Sequence, residues 1–111
     1  PWQIVGTSNA LVEEAEASYS SGADYVAVGR MFPTDSKSNT RPAGVETLRA
    51  IRAIVPVDGP PLVAIGGINA RNVAGVVAAG ADSVCVIAAI TQSDSPRAAT
   101  ERLLDAFQQA H

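Results

Sequence analysis

The sequence predicts an α/β fold around a parallel sheet. Strand-like and helix-like segments alternate along the chain, the strands are apolar almost without interruption, and one turn-and-strand unit occurs twice. Four runs carry the strand signal: Ile4-Val5-Gly6-Thr7, Tyr25-Val26-Ala27-Val28-Gly29, Leu62-Val63-Ala64-Ile65-Gly66 and Val84-Cys85-Val86-Ile87-Ala88. Continuous apolar runs of this length suit strands covered on both faces, as in a parallel sheet flanked by helices. The order βαβαβαβα implies right-handed crossovers between parallel neighbours. The segment Gly22-Ala23-Asp24-Tyr25-Val26-Ala27-Val28 returns as Gly80-Ala81-Asp82-Ser83-Val84-Cys85-Val86, so the chain divides into two βαβα copies within one domain, residues 1–111. Four βα units make half of a (β/α)8 barrel or a small open sheet. A whole barrel uses roughly 250 residues, and 111 is close to half of that.

Each element has its own justification. Strands are expected near 3–7, 25–29, 62–66 and 84–88. The first helix, over 10–20, follows from Leu11, Ala15 and Tyr19 at fourfold spacing. The second, over 44–55, shows Val45, Leu48, Ile51 and Val55 on one face, with Pro56 ending it. The third, over 70–79, rests on Val73, Val76 and Val77. The fourth, over 96–109, rests on Leu103, Leu104 and Phe107. Ser95-Pro96 is an N-cap followed by proline at the first helical position. Gly22 and Gly80 stand where helices should end. The stretch from Arg30 to Ala43 is the longest loop, rich in Ser, Thr, Asn and Pro, and loops of that length are usually functional or disordered.

Composition narrows the function classes. Hydrophobic residues at 47% and charged residues at 17% describe a chain able to form a core. A net charge of −3 with no basic cluster speaks against a nucleic-acid binder. No apolar run approaches the roughly 20 residues of a membrane helix, and no secretory signal precedes the first strand, so a cytoplasmic protein is expected. The first residue, Pro1, points to a native start further upstream. The single cysteine, Cys85, forbids an internal disulfide and is expected in the core. Trp2 and Met31 are read as packing residues, Asp24 and Asp82 as turn residues, and His111 as a frayed end. With no other histidine, a Ser-His or Cys-His nucleophilic apparatus is not available.

In barrels, chemistry sits in the loops that follow the strands. The first such loop is Thr7-Ser8-Asn9, which either caps a helix through Ser8 or Asn9 or aims a hydroxyl into the barrel mouth. The second holds Thr34-Asp35-Ser36-Lys37. Its hydroxyls and ammonium suit a phosphate, and a solvated connector is the competing reading. The third, Gly66-Gly67-Ile68-Asn69, lets backbone approach a ligand closely at a helix start, or is simply a tight turn capped by Asn69. The fourth, Ile87-Ala88-Ala89-Ile90, is again small enough for backbone amides to reach a ligand. The last two together match the phosphate site that barrels build after their final strands. Phosphate or sulfate is therefore expected where Gly67 and Ile87-Ala88 meet.

These residues resemble the thiamine phosphate synthase family. The likeness runs from Ile4 to Phe107, through Gly22-Ala23-Asp24-Tyr25-Val26, Phe32-Pro33-Thr34-Asp35-Ser36-Lys37, Val63-Ala64-Ile65-Gly66-Gly67-Ile68 and Ala79-Gly80-Ala81-Asp82-Ser83-Val84. The Thr-x-Ser-Lys loop is its most specific part. The resemblance implies that the chain is the last four βα units of a (β/α)8 barrel of TIM type. It implies an enzyme that joins hydroxymethylpyrimidine diphosphate to thiazole phosphate with Mg2+ and releases pyrophosphate. Lys37 would hold the pyrophosphate and serve catalysis. Ser8 would contact the pyrimidine substrate. Thr34, Asp35 and Ser36 would line the thiazole phosphate site. Gly67, Ile87 and Ala88 would meet that phosphate through their backbone.

Two departures qualify the resemblance. Many family members carry serine where Ala88 stands, which removes one phosphate hydroxyl. The family's Mg2+-binding aspartates lie on earlier strands, so no metal ligand is expected in this chain. The related thiazole tautomerases place a catalytic histidine where this chain has Ala10, which argues against that activity. The chain alone is expected to be inactive, and to associate with itself or with the missing half-barrel through its open strand edges.

Overall fold

The computed structural model describes residues 3–33 and 44–111. Four strands, β1 (Gly6–Asn9), β2 (Tyr25–Gly29), β3 (Leu62–Ile65) and β4 (Ser83–Cys85), form one sheet in the order β1-β2-β3-β4. All three pairings are parallel. Gly6 lies opposite Tyr25, Val26 opposite Leu62, and Val63 opposite Ser83. The helices are α1 (Val12–Ser20), α2 (Gly44–Ile54), α3 (Val73–Ala78), α4 (Ala88–Thr91) and α5 (Pro96–Ala110).

The core lies between the helices and one face of the sheet. Val26 and Val28 of β2, with Leu62 and Ala64 of β3, are buried against Leu48, Ile51, Val55, Val73, Val76 and Leu103 of the helical layer. The alternate residues Ala27, Gly29, Ile65 and Cys85 point the other way and line an open depression. The expectation of strands covered on both faces is therefore corrected, because among the described residues a helical layer covers only one. Cys85 is corrected with it. It is exposed, because its place in the strand alternation puts it on the uncovered face.

The first strand starts two residues later than its apolar run. Ile4 and Val5 precede it and are exposed, while Thr7, Ser8 and Asn9 belong to it. Neither Ser8 nor Asn9 caps α1. The N-cap is Leu11, and Glu14 reaches back so that its carboxylate accepts the amides of Ala10 and Leu11 at 2.7 and 3.0 Å. Leucine has no acceptor to return the favour, so half of a capping box does the work. On α1 only Ala15 is buried, and Leu11 and Tyr19 are exposed. On α5 the buried residues are Ala99 and Leu103, whereas Leu104 faces out.

Helix ends follow the expected punctuation. Gly22 and Gly80 adopt φ of +83° and +120°, and the Ser95 hydroxyl accepts the Ala98 amide. The third helix begins at Val73 rather than near residue 70, because an asparagine turn occupies 69–72. His111 is exposed just past the end of α5 and touches that helix. Its Nδ1 lies 3.1 Å from the Phe107 carbonyl, and its ring rests 4.4 Å from the Phe107 ring. Met31 is buried, as a packing residue should be.

Candidate functional site

The sheet's C-terminal edge and its uncovered face form one depression of about 1290 Å3. Four of the eight residues expected to meet substrate line it: Ser8 from β1, Gly67 after β3, and Ile87 and Ala88 after β4. Parallel strands explain the convergence, since every C-terminal end lies on the same side. Thr34, Asp35, Ser36 and Lys37 lie outside the described residues. Pro33, their immediate predecessor, lines the same depression.

The β3 turn is built by close backbone approach. The two segments stay in contact past the paired strands, with the amides of Met31 and Phe32 donating to the carbonyls of Ile65 and Gly66 at 3.0 and 3.1 Å. Gly66 and Gly67 then take φ of +104° and +71°, a region open to glycine and strained for other residues. A Cβ on Gly67 would stand 2.9 Å from Phe32 Cβ and 3.0 Å from the Phe32 carbonyl oxygen. Two asparagines hold the far side. Asn69 Oδ1 accepts the amides of Arg71 and Asn72, Asn72 Oδ1 accepts the Asn69 amide, and Asn72 Nδ2 donates to the Gly67 carbonyl. The carbonyl of Gly67 is thus engaged, while among the described residues nothing accepts a bond from its N–H. Asn69 was legible as a cap. Asn72 was not singled out, and the Asn-x-x-Asn spacing was its signal.

After β4 the chain does not stay extended to residue 88. It leaves the strand at Cys85, bends at Ile87 (φ −129°, ψ −71°) and enters the short helix α4, which the sequence reading did not anticipate. Ile87 is therefore the residue before a helical turn, and its carbonyl accepts the amides of Ile90 and Thr91. The first amides of a helical turn have no partner within it. Ala88 and Ala89 carry such amides at the rim of the depression. Their methyl side chains leave the approach open.

Asn9 sits at the floor of the mouth and is buried, the only buried polar residue among those described. Its Nδ2 donates to Thr7 Oγ1 and to the Ala27 carbonyl, both at 3.0 Å, and its Oδ1 accepts the Ser18 hydroxyl at 2.9 Å. These bonds tie β1 to β2 and α1, and they fix the position of Ser8 beside it. Arg71 and Arg102 add guanidinium groups to the rim. Neither is ion-paired among the described residues. Sequence reasoning missed both, because nothing in their local pattern distinguishes them from solvated helix arginines. Among the described residues no three acidic, histidine or cysteine side chains come together. No described helix is long and apolar enough to cross a membrane.

The thiamine monophosphate synthase family, TMP-TENI, matches residues 1–90. The chain belongs to that family. A thiamine-phosphate synthase of Moorella thermoacetica is 46% identical over 111 residues, covering 99% of this chain and 51% of the relative. One from Geobacillus kaustophilus is 46% identical over 110 residues, covering 97% and 48%. The solved thiamine phosphate pyrophosphorylase of Pyrococcus furiosus superposes with a TM-score of 0.84 at 39% identity, covering 96% of this chain and 50% of that one. The chain spans about half the length of the curated relatives it matches. Four consecutive parallel βα units matching half of a family member fit a half-barrel, which is why the depression is open along the face that points away from the helices.

Proposed function

We propose that this chain is one half of an enzyme that makes thiamine phosphate, joining hydroxymethylpyrimidine diphosphate to thiazole phosphate and releasing pyrophosphate. The family match over residues 1–90 carries this reading. The geometry agrees with it, because the turns after β3 and β4 bring Gly67, Ala88 and Ala89, whose amides donate to nothing among the described residues, to one depression. Amides at such turns bind phosphate oxygens. In this reading Gly67, Ile87 and Ala88 grip the thiazole phosphate through the backbone, with Thr34, Asp35 and Ser36 completing the site. Ser8 contacts the pyrimidine substrate. Lys37 neutralises the leaving pyrophosphate, and Arg71 and Arg102 raise the positive potential around the mouth.

The reaction needs no protein nucleophile. The bond between the pyrimidine methylene carbon and the pyrophosphate oxygen breaks, and pyrophosphate keeps the electron pair. The thiazole nitrogen lone pair then forms the new C–N bond. The protein's part is to hold the two reactants in line and to stabilise charge on the leaving group. Mg2+, in this proposal, is held by side chains outside this chain, and the chain pairs with the half of the fold it does not contain. The cytoplasm expected from the sequence belongs to the same reading.

The test is a thiamine phosphate assay on the purified chain, on the complementary half of the Moorella relative, and on the two combined with Mg2+. Synthesis only in the combination is expected. A combined sample that is demonstrably bound yet makes no product would overturn the activity, and robust synthesis by the chain alone would show the site to be misplaced.

A further inference from the structure

The two copies of the Gly-Ala-Asp unit have the same backbone arrangement and different surroundings. In the second copy, the Asp82 amide donates to the Leu62 carbonyl, and Asp82 Oδ2 accepts the Leu62 amide, both at 2.9 Å. In the first copy, the Asp24 amide donates to the Val5 carbonyl at 2.8 Å, and Asp24 Oδ2 accepts the Val5 amide at 2.7 Å. Each aspartate clamps the start of the neighbouring strand. The preceding glycine has positive φ in both copies.

The second copy has one further part. Arg52, in the last turn of α2, donates from Nη1 to the Gly80 carbonyl and to Asp82 Oδ2, both at 2.9 Å. From Nη2 it donates to the carbonyls of Val55 and Pro56, both at 3.0 Å. Its aliphatic stem lies directly over Gly80, where an added Cβ would meet Arg52 Cγ and Cδ at 2.5 Å. Over Gly22 there is nothing within 4 Å. Among the described residues no cation pairs with Asp24, and nothing donates to the Gly22 carbonyl. The first copy has the acceptors and the space, and lacks the guanidinium.

We propose that Gly22 and Asp24 are a receptor for an arginine side chain from the last turn of a helix that packs beside α1. The inference rests on the reading that this chain pairs with the other half of its fold. Arg52 lies 30 residues before Asp82, on the helix that leads into the neighbouring strand. At the same spacing of 30 residues, this sequence has no residue that could play the part of Arg52 for Asp24. A second copy of the chain is a poor source. In a ring closed by two copies, the helix flanking edge strand β1 is α5, and α5 has no basic residue in its last turn. The occupant is therefore a helix of different sequence, in the half of the relatives' length that this chain does not span. Asp24 thus marks the correct neighbour at the β1 edge, because an arginine fork satisfies a carboxylate and a carbonyl together.

The experiment compares Asp24→Asn with Asp82→Asn. Asparagine keeps an oxygen for the strand amide and removes only the charge. In the chain by itself, Asp82→Asn should lower the unfolding midpoint, and Asp24→Asn should leave it unchanged. The complementary half of the Moorella relative is then titrated against each protein by calorimetry. Asp24→Asn should weaken binding about tenfold, more at low salt than at high, and Asp82→Asn should not. Gly22→Ala, which fills the space for the arginine stem, should weaken binding likewise. Wild-type affinity in Asp24→Asn would overturn the receptor while leaving the pairing intact. No binding by the wild-type chain would overturn both. Asp24-dependent self-association in ultracentrifugation would replace the proposed occupant with a second copy, and so refute it.

Discussion

Replacing Gly67 by alanine isolates the backbone geometry of the phosphate turn from its sequence. At φ +71° an alanine costs roughly 1–2 kcal/mol through the clash of its Cβ with the following carbonyl. The new methyl would also stand 2.9 Å from Phe32 Cβ and 3.0 Å from the Phe32 carbonyl oxygen, and the latter cannot rotate away. Overpacking of that kind costs about 1–3 kcal/mol, so the whole change should destabilise the chain by about 2–5 kcal/mol. Gly22→Ala supplies the internal control, since φ is +83° there but nothing lies within 4 Å. It should cost only the conformational part, about 1–2 kcal/mol. Urea unfolding followed by circular dichroism measures both, and thiazole phosphate titrated against amide NMR shifts reports on the site. Gly67→Ala should weaken that binding because relief of the clash pushes the Gly67 amide away from its ligand, whereas Gly22→Ala should not change it. Equal destabilisation by the two substitutions would refute the close approach of the β2 and β3 loops. Unaltered phosphate shifts in a folded Gly67→Ala chain would remove the amide from the site.

Other substitutions test separate links of the argument. Leu48→Ala empties a fully buried position facing the sheet and should cost about 2–5 kcal/mol in the same unfolding experiment, and a cost below that range would place Leu48 outside the core. Asn9→Ala removes the donor to the Ala27 carbonyl and leaves the Ser18 hydroxyl with only the Glu14 carbonyl as acceptor, for a loss of about 1–3 kcal/mol. Ser18→Ala introduced on top of it should then cost little more, and full additivity would show that the two do not share a network. In the assembled enzyme, Lys37→Ala should slow turnover by about 10²–10³ and leave thiazole phosphate affinity nearly intact. A wild-type rate would reduce that loop to a solvated connector.

The sequence by itself determined the order of every element except α4, the parallel sheet and the position of the β3 turn. These depend on signals a few residues wide. Leu48, Ile51 and Val55 repeat with the helical period, Gly22 and Gly80 terminate helices, and Ser95-Pro96 starts one. Each acts on its own backbone whatever packs nearby. Tertiary structure decided which face of each strand is covered. A run such as Val84-Cys85-Val86 looks equally buried on both sides, yet Cys85 is exposed. Strand alternation assigns it to the face away from the helices, and only three-dimensional packing says that this face has no helical layer. The same holds for Ile87. Its apolar character suited a strand, but it ends up before a helical turn and exposed, because β3 offers pairing only as far as Cys85. Arg52 is the clearest case. Its i−3 and i−4 neighbours on α2, Arg49 and Leu48, say nothing of Gly80 or Asp82. Its partners are set by how α2 lies against the turn that follows α3, a relation between distant segments that no local spacing encodes.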